Sequence, residues 1–305
     1  MQSLLVPVGF ALASALSNAI ATVLQRQEAL KVPSSSGFRV GLMLDLLRRP
    51  LWLAGIAAVL VAGVCQALAL NTGPLAIVQP LFVLELPLAL IVASIVMHRH
   101  LPPSGWGAVS LVVVGLGIAL AAASPTGNRT QVPLDRWLPA LAVCGGAVVA
   151  LSVVALRRPV GRTRAALLGT ATAISYALTA ALMKSATHIL EDEGAAAFFT
   201  SWEVYAFAVT GGTALFLLEN ALQAGPLVAS QPALTLGDAT LSLLLGVTLY
   251  EEHVRTGWWL LPELLGLGLI TVGVFTLARI PLAEALVAAE ETSGAAPPQA
   301  GQTLP

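Results

Sequence analysis

Nine stretches of about 20 mostly apolar residues constrain this chain more than any other feature. They run near 4–25, 50–71, 74–97, 104–123, 137–156, 164–188, 200–222, 226–249 and 257–278. About 20 such residues carry a helix across hydrocarbon, and only helices or closed barrels satisfy their backbone polar groups there. Composition agrees: 57% of residues are hydrophobic and 10% are charged, against about 25% charged in soluble domains. A soluble body this apolar would lack a polar coat. The expected class is all-α: a polytopic membrane protein of about nine transmembrane helices.

Turn residues separate the stretches: Gly73-Pro74, Pro102-Pro103, Ser124-Pro125-Thr126-Gly127 and Gly225-Pro226. Residues 31–49 carry Lys31, Arg39, Asp45, Arg48 and Arg49 and are too polar to span. The first stretch lacks the basic flank of a signal peptide and has a counterpart in mid-chain, so it reads as a true span. The Gly/Ala/Pro-rich tail 280–305 is expected to be a disordered cytoplasmic segment.

Several function classes find no support. The net charge of −1 offers nothing to nucleic acid. Cys65 and Cys144 lie in apolar segments and read as buried thiols without a disulfide. No zinc cluster, GxGxxG after a strand or P-loop occurs, nor DDxxD, HExxH or GxSxG. The expectation is therefore no enzyme, and no cofactor beyond a coupling proton or cation. His98, His100, His188 and His253 sit near span ends and read as solvated interface residues.

Eleven of the 15 Lys and Arg follow odd-numbered spans. Basic residues favour the cytoplasmic side, which predicts a multi-pass plasma-membrane protein with its N-terminus outside and C-terminus inside.

The chain also repeats itself. Residues 73–80 read GPLAIVQP and residues 225–232 read GPLVASQP, an offset of 152. LVVVGLGIAL (111–120) matches LITVGVFTLA (269–278), and ASALSNAIATVLQR (13–26) matches TATAISYALTAALMK (170–184), both at an offset of 158. Arg26 then corresponds to Lys184. Spans 1–4 (4–123) match spans 6–9 (164–279), with span 5 (137–156) as linker, all within a transmembrane domain of residues 1–279. An odd offset of five spans makes the halves enter from opposite sides. Such inverted repeats are the plan of many secondary transporters, with the site near the midplane; the alternative is that duplicated helices merely pack.

Polar residues mark candidate positions. One face of span 1 carries Ser14, Ser17, Asn18 and Gln25; its counterpart on span 6 carries Thr172, Ser175, Tyr176 and Thr179. Ser and Thr alone fit close helix packing; Asn18, Gln25 and Tyr176 point to a cavity. On span 8, Gln231, Thr235, Asp238 and Ser242 fall within about 60° of one another. Asp238 lies at midspan, and its near counterpart on span 3 is Glu85, which does not share a face with Gln79. A central carboxylate costs at least about 2.5 kcal/mol on insertion scales and defaults to a functional reading; the alternative is a hydrogen-bonded brace. The two acids suit a cation, a proton or a cationic solute. Pro80 and Pro232, at matched places, predict paired helix breaks. The candidate substrate-binding residues are Asp238, Gln231, Thr235, Glu85, Gln79, Asn18, Tyr176 and Ser175. No metal ligand is assigned, although Asp238 and Glu85 would serve a coupling cation.

ALALNTGPLAIVQP, NALQAGPLVASQP, the LYEE closing span 8, GLGIAL and GLGLITVGVF together resemble the EamA-like drug/metabolite transporter superfamily. The resemblance covers residues 1–279. Members commonly have ten helices as five plus five; here residues 31–49 replace one, and the nine-span layout is similar to the NIPA-type magnesium transporters. Span 3 ends in MHRH and lacks the closing acid of span 8. The resemblance implies a cavity lined by spans 1, 3, 6 and 8, and a secondary transporter for a small metabolite or drug-like solute, with a magnesium or divalent-cation transporter as the alternative. The expected partners are that solute or ion and the lipid bilayer; nothing indicates an oligomer.

Overall fold

The computed structural model describes residues 4–29, 49–96, 98, 100–127, 129 and 132–281. Among these, nine helices are long and apolar enough to cross a membrane: α1 (Leu5–Ala29), α2 (Pro50–Thr72), α3 (Leu75–Val96), α4 (Pro103–Ala123), α5 (Leu134–Leu156), α6 (Arg162–Asp192), α7 (Trp202–Ala224), α8 (Leu227–Leu249) and α9 (Gly257–Leu277, entered through a 3-10 turn). The protein is an all-α, multi-pass membrane protein. The polar segment 31–49, apart from Arg49, and the tail beyond 281 lie outside the described residues, as does the side chain of Arg26.

Proline sets several helix starts. Pro50 and Pro103 occupy the first helical positions of α2 and α4, where a missing N–H costs nothing. Ser124 ends α4 in the left-handed region at φ 37. α6 runs four residues further than the sequence predicts, to Asp192.

The expected pair of helix breaks is realised once. α3 passes from α-helix (Leu75–Leu81) through a 3-10 turn (Phe82–Leu84) to α-helix again from Glu85. Pro80 removes a donor and crowds the carbonyl four residues back. Pro87 lies in the first turn after the restart, where proline is tolerated. α8 has Pro232 alone and stays α-helical throughout.

α1 packs on α2 and α3, while α6 packs on α7 and α8. α3 meets α8, and α4 crosses α9. α5 lies against α6 and buries only Trp137 and Ala155; Trp137 meets Trp202 edge-on, with centroids 5.7 Å apart. Helix alternation puts the connections at 73–74, 124–127, 193–201 (a short helix over Gly194–Thr200) and 250–256 on one face, called the 250 face below.

Small residues set the closest approaches. A Cβ on Gly115 would lie 2.7 Å from the Gly266 carbonyl oxygen, and one on Gly273 would lie 2.9 Å from the Ala108 carbonyl oxygen. An offset of 158 turns 115 into 273 and 108 into 266, so the two contacts exchange. Likewise a Cβ on Gly73 would collide with Pro7, and one on Gly225 would lie 3.2 Å from the Ala165 Cβ. Residues 73 and 225 are 152 apart; 7 and 165 are 158 apart.

Gly115→Leu is expected to lower the melting temperature of detergent-solubilised protein, because overpacking costs about 1–3 kcal/mol or more against backbone. Gly117→Leu, where a Cβ meets nothing within 4 Å, should leave it unchanged.

Candidate functional site

Two polar assemblies interrupt the apolar body. The first sits at midspan. Glu85 opens the restarted part of α3, directly after the 3-10 turn. The Asn18 side chain of α1 lies close enough to act on its carboxyl. Asp238 of α8 lies close enough to feel the Glu85 charge, and Ser242, one turn on, donates to Asp238 Oδ1 at 3.4 Å. Tyr176 of α6 lies in the field of Glu85, Asp238 and Glu219. Asn18, Glu85, Tyr176 and Asp238 thus come from α1, α3, α6 and α8, and all four are partly accessible. Among the described residues, the side chains acting on the two carboxyls are Asn18, Ser242 and Glu85 itself; none is basic.

The other candidates stand apart. Gln79 is 3% exposed, and its Nε2 has no hydrogen-bond partner; it lies one turn past the start of α3, away from Glu85. The Ser175 hydroxyl is buried and donates to the Ala171 carbonyl at 3.0 Å. The Thr235 hydroxyl donates to the Gln231 carbonyl at 2.8 Å, and both residues are partly accessible along α8.

The second assembly lies at the 250 face and was not foreseen as a unit. Pro74 precedes α3 and has no side chain able to cap it. Glu252, just past α8, supplies the cap instead: Oε1 accepts the Leu75 N–H at 2.6 Å and Oε2 accepts the Ala76 N–H at 2.8 Å. A carboxylate suits the positive end of a helix. Lys184 of α6 donates to Glu252 Oε1 at 3.0 Å and to the Gly73 carbonyl at 3.1 Å. Both charged side chains are fully buried. Tyr250 presents its ring to the ammonium at 4.7 Å, and its hydroxyl donates to the Ala181 carbonyl at 2.6 Å. Gly246 leaves the room: a Cβ there would collide with Glu252 Oε2.

Loops close around this lock. Thr126 and His253 exchange backbone hydrogen bonds, and Arg255 N–H donates to the Ala123 carbonyl. Glu251 pairs with Arg136 and, at 2.6 Å, with Arg129. The hydrogen bond from Arg136 and the charge of Arg129 hold its carboxyl below the usual carboxylate range.

The acid of the lock has no acidic counterpart in the first half. The 152 offset pairs Glu252 with His100, which is exposed and is not an acid. His98 and His253 are exposed as expected. His188 is a correction: it is 5% exposed, because α6 continues past it and turns it inward with Lys184 and Ser185. The signal was the spacing of Ala181, Lys184, Ser185 and His188, a single helical face.

No family model and no solved structure matches the chain. An uncharacterized protein of Corynebacterium glutamicum is 30% identical over 280 residues, covering 91% of this chain and 96% of that protein. The chain belongs to the family of that protein. The likeness extends over the helical body, not over one motif.

Glu252→Gln strands a buried cation, and breaking a buried pair from one side costs about 3–5 kcal/mol. Lys184→Met leaves a carboxylate still held by two backbone N–H groups. Thermal melting in detergent should therefore show the larger loss for Glu252→Gln. The stability that Glu251 adds is fully present above its ordinary value of 4.5 and is lost as pH falls through its depressed folded value. Melting temperature should fall less steeply on acidification in Glu251→Gln than in wild type.

Proposed function

We propose that the chain is a secondary carrier of the plasma membrane, moving a small metabolite or drug-like solute by alternating access between two inverted halves. The observation that carries this reading is the midspan pair Glu85 and Asp238. Two carboxyls from different helices lie near each other, partly accessible, with no basic side chain among the described residues acting on them. Such a pair asks for positive charge from outside: a proton, or a cationic group on the solute. A structural brace would carry its own counter-ion, as Lys184 and Glu252 do.

The exchanged contacts Gly115–Gly266 and Ala108–Gly273, and the matched contacts of Gly73 and Gly225, support the inverted repeat. The EamA-like resemblance agrees with a site among α1, α3, α6 and α8. The positive-inside bias supports an external N-terminus, which makes the locked 250 face the outer one. The divalent-cation reading has less to rest on: a hard ion wants several oxygens, and no group of three His, Cys, Asp or Glu able to hold a metal gathers among the described residues.

A solute panel in proteoliposomes tests the proposal. Uptake of at least one solute should appear, and Asp238→Asn or Glu85→Gln should reduce it about tenfold or more, the loss expected for one charge-assisted contact. Flux of every active solute persisting in both variants would overturn the assignment of the site. Flux of magnesium alone would overturn the solute class.

A further inference from the structure

A separate cleft of about 190 Å³ opens at the 250 face. It lies between the C-terminal turns of α6, the start of α7 and Val132 before α5. Its charged lining is acidic: Asp192 and Glu193 at the exposed rim, and Glu203 partly buried in the first turn of α7. No lysine or arginine lines it. The C-terminal carbonyls of the 31-residue α6 add partial negative charge at the same place.

His188 supplies the independent sign of a ligand. It lines the cleft, is 5% exposed, and its Nε2 is buried without a hydrogen-bond partner. An unpaired buried polar atom costs about 1–3 kcal/mol unless something bonds it. Val132 and Ile189 give the cleft an alkyl wall. At its floor Ser185 is already engaged with the Tyr250 hydroxyl at 2.8 Å.

We propose that this cleft binds a small organic ammonium ion, with its charged head among Asp192, Glu193 and Glu203, an N–H reaching the His188 ring, and its alkyl part on Val132 and Ile189. An alkylammonium fits better than a bare metal ion. The wall is partly apolar, and no metal-holding trio gathers among the described residues. The site is distinct from Glu85 and Asp238 and does not depend on the transport reading.

The test uses full-length protein in neutral detergent and butylammonium as probe, with butanol and butyrate as matched neutral and anionic controls. Butylammonium alone should give saturable heat in calorimetry. The double variant Asp192→Asn/Glu193→Gln, and separately Glu203→Gln, should each weaken it by about tenfold or more. The part of the heat that the cleft variants abolish should persist in Asp238→Asn. Asp192 and Glu193 are exposed and Glu203 is only partly buried, so the variants are expected to fold, which unchanged melting temperatures would verify. Three results overturn the proposal: no saturable butylammonium binding, binding lost in Asp238→Asn but kept in the cleft variants, or magnesium binding that needs the cleft acids while butylammonium does not bind.

Discussion

The 250 face of the structure hangs on one carboxylate. α3 begins at a Gly-Pro turn that offers no cap, and its first N–H groups would be stranded at a buried end. Glu252, 177 residues away from Leu75, satisfies them and is itself neutralised by Lys184. This arrangement ties α3 to α6 and to the end of α8. Gly246 has no side chain because the carboxylate occupies that space. Tyr250 and Ser185 complete the enclosure, so that two charges sit away from water with their hydrogen bonds made. The loops bridging Thr126 to His253 depend on the same geometry.

Against that lock, the midspan acids differ in kind. Lys184 and Glu252 meet each other's needs, while among the described residues Glu85 has Asn18 beside it and Asp238 has Ser242 and the charge of Glu85, with no basic partner. The 3-10 turn in α3 places Glu85 at a helix restart, and Pro80 and Pro87 bracket that turn. The polypeptide thus keeps one charge pair closed and leaves another incomplete.

The sequence displays the nine helices because hydrophobic length is local, and each apolar run is read without knowing its neighbours. The four residues Asn18, Glu85, Tyr176 and Asp238 were also legible, since a midspan polar side chain is conspicuous. Gln79 and Ser175 looked alike by the same rule, but both are buried, and the Ser175 hydroxyl is spent on the Ala171 carbonyl. Glu252 and Lys184 escaped because each falls near the end of an apolar run, where a charged residue is ordinarily solvated, while α6 in fact carries Lys184 two turns inside its end. Only the tertiary fold brings the two ends together. His188 was misread for the same reason, its helix running a turn longer than hydropathy suggests. The break at Pro80 was legible, but its absence at Pro232 was not: one proline fits within a continuous helix, while two spaced by seven residues produce the 3-10 turn.

The crossing of α4 over α9 has a further meaning on the inverted-repeat reading. When two halves trade conformations, any contact that maps onto its own counterpart is made in both end states. Gly115–Gly266 and Ala108–Gly273 map onto each other, so this crossing is stationary through the exchange. Glu252 has no acidic counterpart at His100, so on the same reading its contacts would be made in one end state alone. On that reading the crossing would be the fulcrum of the molecule, where glycines let backbone meet backbone closely and few bulky side chains stand in the way of a rocking motion.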